Sequence, residues 1–142
     1  MAIPTYEDAN LILRLYEMRR EEKMRAAREW FVKNARFSSY EDLTKACPPG
    51  SQENAYFRQV TSYWEMVASF INAGVLHHEL FFQSGREMLL VWVRIRHLVA
   101  AHREANRDRH AWKNLETVAG QFIDWMNRND SESFEAFAKR IG

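Results

Sequence analysis

The stretch Ser51–Gly74, SQENAYFRQVTSYWEMVASFINAG, decides the fold. Its apolar residues Val60, Trp64, Val67, Ala68 and Ile71 recur every three or four positions, which places them on one stripe of a helix. Tyr56, Phe57, Tyr63 and Phe70 widen that stripe, so the helix needs partners on more than one side. Gly74 ends it as a left-handed cap, a conformation that glycine adopts without steric cost. Just ahead stands Pro48-Pro49-Gly50, the single cluster that must interrupt regular structure.

Upstream, Thr5 caps a predicted helix whose apolar residues Ala9, Ile12, Leu13, Tyr16, Met24, Ala27 and Phe31 keep helical spacing to about Ala35. A rod of about 30 residues would span about 45 Å. Its middle, Arg19-Arg20-Glu21-Glu22-Lys23, has no apolar residue and is expected to be solvated, supported by the i,i+4 pair of Glu21 and Arg25. Ser38 and Glu41 have capping-box spacing and open a short helix ending near Cys47. Downstream, His77 to Gln83 reads as a short helix. Ser84 with Glu87 repeats the capping-box pattern before Met88, Val91, Trp92, Ile95, Leu98 and Val99, a helix expected to reach Glu104 and to lie at the centre. Asn106 to His110 turns the chain. Trp112, Leu115, Val118, Ala119, Phe122 and Met126 form another helical face, and Asp130-Ser131 cap a last helix carrying Phe134, Phe137 and Ile141. With no alternating strand pattern and no internal repeat, the expected fold is all-α. It is a bundle of about four principal helices in one domain, residues 1–142, with a long N-terminal helix and short accessory ones.

Composition agrees with a folded single core: 142 residues, 46% hydrophobic and 13% aromatic. Twenty Lys and Arg balance 19 Asp and Glu, and a net charge of +1 gives no overall field toward nucleic acid or an acidic membrane. The lone Cys47 excludes an internal disulfide, and the expected setting is reducing and cytoplasmic. Neither an export signal nor a membrane span is expected.

The run Val60-Thr61-Ser62-Tyr63-Trp64-Glu65 through Ala73-Gly74-Val75-Leu76, followed by Trp92 and Arg103, resembles a bacterial family known as domain of unknown function 4760. Trp112-Lys113-Asn114-Leu115-Glu116-Thr117-Val118-Ala119 is similar to that family's closing segment. The resemblance spans about residues 25 to 120. Members often carry membrane-spanning segments ahead of this region, which this chain is expected to lack. The resemblance implies a helical fold and brings no catalytic residues.

Chemistry is sparse. His77 and His78 are adjacent and diverge by about 100° on a helix, while His97 and His102 are five apart, so no pair has the spacing of a metal-binding helix. No metal site and no cofactor is expected. Cys47 has only Lys45 as a basic neighbour and reads as a small buried hydrophobe rather than a nucleophile. No phosphate-binding loop or nucleophile elbow occurs. Ser84-Gly85-Arg86 at a helix start forms a weak candidate anion cradle. Residues 86–113 hold seven Lys or Arg against three acids, and Arg96, Arg103 and Arg107 share a face if the helix continues that far. With Arg86 they are the candidates for binding nucleic acid or another polyanion. The first helix points elsewhere. Leu11, Leu15 and Met18 lie beside the stripe of Ile12, Leu13 and Tyr16, leaving its first turns apolar around most of their girth. The preferred expectation is a noncatalytic domain that works by protein contact through these residues, with a homodimer as one form. Polyanion binding and an enzyme site assembled from distant residues are the alternatives.

Overall fold

The computed structural model describes residues 2–142. Helix α1, Tyr6–Arg20, opens with a reciprocal cap: Thr5 Oγ1 accepts from the Asp8 N–H at 3.2 Å, and Asp8 accepts from the Thr5 N–H at 2.7 Å. The long N-terminal rod expected from periodicity does not form. The chain leaves the helix at Glu21 (φ −61°, ψ 144°), whose carboxylate accepts the Met24 N–H at 3.1 Å and caps α2, Glu22–Asn34. The physical reason lies in the turn without apolar side chains. No burial is lost by breaking there, and the new cap satisfies a backbone donor at the start of α2. The break lets Leu15 and Met24, on separate helices, both reach the core at 4% exposure.

Ser39, one residue later than expected, caps α3, Tyr40–Ala46, by accepting from the Asp42 N–H. Ser51 caps α4, Gln52–Asn72. At its end Gly74 takes φ +78°, and the Val75 N–H donates to the Phe70 carbonyl at 2.9 Å. Helix α5, His78–Phe82, is followed by α6, Arg86–Ile95, a 3-10 turn at Arg96–Leu98, and α7, Val99–Asn106. The single helix expected over this region is therefore interrupted. Its expected capping box is also absent. Gly85 stands at the cap with no side-chain bond, and Glu87 instead grips Arg28 of α2 at 2.7 and 2.8 Å. A side chain at Gly85 would run into the Phe81 ring, which is why the helix entrance needs glycine. Helix α8 spans Lys113–Asn127 and α9 spans Ser133–Ile141, with Glu132 rather than Asp130 at the α9 cap.

Helix α4, not the α6 segment, is the centre: it packs against α2 and α8 and also touches α6. Its length and its girdle of Phe57, Val60, Tyr63, Trp64, Val67, Ala68 and Ile71, all buried, suit it to that place, whereas the α6 region is broken into short pieces. Helix α6 lies on α8 and α9, and α1 lies on α2 and α5. The Phe82 and Phe122 rings stack at 4.3 Å and join α5 to α8. About three quarters of the chain is helical, and the described residues contain no strand. No helix among them is long and apolar enough to cross a membrane.

Candidate functional site

Helix α1 is fastened by several inward contacts, among them Arg28 of α2 donating to the Arg19 carbonyl at 2.9 Å. Leu15 is buried, the Tyr63 hydroxyl donates to the Leu15 carbonyl at 2.6 Å, and the Asp8 carboxylate accepts the His77 N–H at 2.9 Å. Burial pushes the Tyr63 hydroxyl up to about 12. Hydrogen bonds from the Thr5 and His77 backbones hold Asp8 below the ordinary carboxylate range. The three residues expected to face a partner are divided: Met18 is exposed, while Leu15 and Leu11 turn inward. Leu15, expected to face a partner, is part of the chain's own core, and Leu11 is half-buried against it. Leu13 and Tyr16, from the apolar stripe, lie outside at 58% and 48% exposure, with Tyr6 at 80%. Tyr6, Ala9, Leu13 and Tyr16 follow spacings of three, four and three, the pattern of a coiled-coil seam. The Arg19 and Arg20 guanidinium groups sit 5.2 and 5.5 Å from the Tyr16 ring. Met18 is exposed and borders a shallow groove of about 540 Å³ with Met24, Met66 and Gln59.

A larger cavity of about 740 Å³ opens between α3, α4, α7 and the loop after α7. Its apolar floor includes Leu43, Cys47 and Phe57, all buried. One wall is an aromatic stack in which the His102 ring lies parallel to Trp112 at 4.0 Å, with Tyr40 edge-on at 5.7 Å. His102 Nδ1 lies 3.3 Å from both the Tyr40 hydroxyl and Asn106 Nδ2. Burial pulls the His102 ring down from its ordinary value, so it is neutral at pH 7. Arg107 (φ +51°) and Trp112 (φ +57°) bracket the wall loop in the left-handed region, a costly conformation for such side chains. Trp112 gives α8 no side-chain cap. Glu65 of α4 supplies one across the fold by accepting from the Asn114 and Leu115 N–H groups at 3.2 and 2.9 Å. Sequence spacing could not show this cavity, because Tyr40 and His102 lie 62 residues apart.

The basic stripe is not assembled. The 3-10 turn changes the helical phase after Arg96, and Arg107 falls beyond the end of α7. Arg103 is held by Glu116 at 3.0 Å and by the Ala111 carbonyl at 2.9 Å, while Arg96 lies over the Phe134 ring at 5.6 Å. Arg86 stands exposed in the first turn of α6, apart from these three. Arg94, read as one of the seven basic residues, is buried. Its guanidinium donates to the Val32 and Ala35 carbonyls at 3.1 and 3.2 Å and to Ile141 at 3.0 Å.

The histidines do not converge. His77 accepts from the Leu80 N–H as the cap of α5 and donates to the Ala2 carbonyl, His78 stacks on it, and His97 donates to the Phe37 carbonyl. Among the described residues no three His, Cys, Asp or Glu gather to hold a metal ion. Burial pushes the Cys47 thiol up, away from the thiolate form a nucleophile needs.

No curated protein and no solved structure matches the chain. The family described as domain of unknown function (DUF4760) matches residues 4–140, beyond both ends of the resemblance seen in the sequence. The chain, matched over nearly its whole length, belongs to the DUF4760 family.

Proposed function

We propose that this is a noncatalytic helical domain that acts by protein contact, and that its contact is with a second copy through the outer face of α1. The observation that carries the reading is the exposed Tyr6, Leu13 and Tyr16, which with the half-buried Ala9 between them form an apolar seam on the outside of α1. Antiparallel pairing about a two-fold axis sets Tyr6 against the partner's Tyr16 and the small Ala9 against the partner's bulky Leu13. Four residues per copy make a small interface, so the dimer dissociates at micromolar concentration, on the order of 10 µM. The single, buried, free Cys47 is compatible with a reducing cytoplasm, where we place the domain.

Sedimentation equilibrium across the micromolar range tests this. Wild type should dimerise, and the surface change Leu13→Glu should give a folded monomer. A wild type that stays monomeric at 1 mM, or a Leu13→Glu variant that still dimerises, refutes the reading.

A further inference from the structure

The cavity between α3, α4 and α7 lies on different elements from the α1 seam and stands independently of it. We infer that it binds a small, uncharged aromatic molecule that carries a carbonyl or another hydrogen-bond acceptor. Its size admits such a molecule, since about 740 Å³ falls within the range of small-molecule sites. The buried Leu43, Cys47 and Phe57 supply an apolar floor for the ring body.

The charges argue for a neutral head. Arg58 and Asp108, opposite in sign and both exposed, make no ion pair among the described residues, so the lining favours neither an anion nor a cation. Glu65, the other carboxylate there, is taken up by the Asn114 and Leu115 N–H groups at the start of α8. A charged head entering the cavity would lose water with no buried countercharge to replace it.

The donors argue for an acceptor. The hydroxyls of Thr44, Thr61 and Ser62 donate to carbonyls of their own helices, and the Asn54 amide donates to the Cys47 carbonyl. Besides the exposed Arg58 and His110, two ring N–H groups remain. Asn106 Nδ2 can only donate, so His102 Nδ1 accepts and the ring proton sits on Nε2. Neither His102 Nε2 nor the Trp112 indole Nε1 has a partner among the described residues, and neither atom is sealed from solvent. Their rings lie parallel at 4.0 Å, so both donors belong to one wall. A neutral acceptor pairs with that wall without carrying charge into it.

The full chain, labelled with nitrogen-15, is titrated with four probes of one bicyclic body: 1-indanone, indane, indane-1-carboxylate and 1-aminoindane. The expected result is a shift of the Trp112 indole N–H with 1-indanone, and about tenfold weaker binding of the carboxylate and of the ammonium. His102→Phe keeps the ring stack and removes one donor, so it should weaken 1-indanone about fivefold and leave indane unchanged. No Trp112 response to 1-indanone, a charged probe that binds as tightly as 1-indanone, or a His102→Phe change that moves 1-indanone and indane alike overturns the proposal. The ranking of charged against uncharged probes is read on wild type, and it decides the matter even where His102→Phe does not fold. Dimerisation of a folded His102→Phe variant is unaffected if the α1 seam is the contact, so the two readings fail separately.

Discussion

Arg94 carries its charge into the core without a carboxylate beside it. Its partners are carbonyls at the C-terminal ends of α2 and α9, where the helix dipoles present partial negative charge. Burial, reinforced by the nearby Arg36, pulls its pKa down, yet a guanidinium starts so high that it stays charged at neutral pH. One side chain thus closes two helix ends that have no caps of their own kind, and it ties the last turn of the chain to the second helix. Arg94→Met, which keeps the apolar stem and removes the donors, is expected to cost about 2–4 kcal/mol by leaving buried carbonyls unpaired. Urea unfolding measures it, and a loss below about 0.5 kcal/mol would show that water replaces the guanidinium. In the sequence Arg94 stands among six other basic residues and looks like one more surface cation. Only the docking of α2 and α9 around it gives it a separate role.

At the scale of elements, α1 is held to the rest of the fold by a few identifiable side-chain bonds. The Asp8 bond to His77 fastens it to the start of α5, and the Tyr63 bond to Leu15 fastens it to α4. The Asp8 carboxyl is depressed below its ordinary 3.8, chiefly by the Thr5 and His77 backbone N–H bonds. Its contribution to stability is therefore present above that value and lost as pH falls through the lower folded value. Hydrogen exchange should show α1 amides losing protection before those of α4 as the solution is acidified below about pH 4, and Asp8→Asn should remove that difference. Equal loss of protection in α1 and α4 for wild type would contradict it. Sequence patterning placed both α1 and α2 on helices but not the break between them. The turn Arg19 to Lys23 was visibly polar, and a polar turn is equally consistent with a solvated straight helix. What selects the break is the cap that Glu21 provides once α2 packs against α4.

For the whole molecule, one continuous core joins residues from α1 through α9, including Leu15, Phe31, Trp64, Met88, Phe122 and Phe137. A chain sharing one core is expected to unfold as a single domain, with far-ultraviolet circular dichroism and tryptophan fluorescence giving coincident urea transitions. Two separated transitions would divide it. The all-α class, the positions of most helices, the stop at Pro48-Pro49-Gly50 and the Gly74 cap were legible in the sequence, because helical spacing and turn residues act over a few positions. The Tyr40, His102 and Trp112 cavity was not legible, nor was the Glu65 cap on α8, since their members meet only after distant segments pack. Which face of α1 turns inward was undecided as well. A helix apolar around most of its girth has several equivalent ways to bury itself, and local periodicity does not choose among them. By itself, then, the sequence determined that this chain forms amphipathic helices around one core. The tertiary structure decided which apolar side chains remain outside and which polar ones gather in a cavity, because both depend on the positions of α4, α5 and α8 rather than on neighbours along the chain.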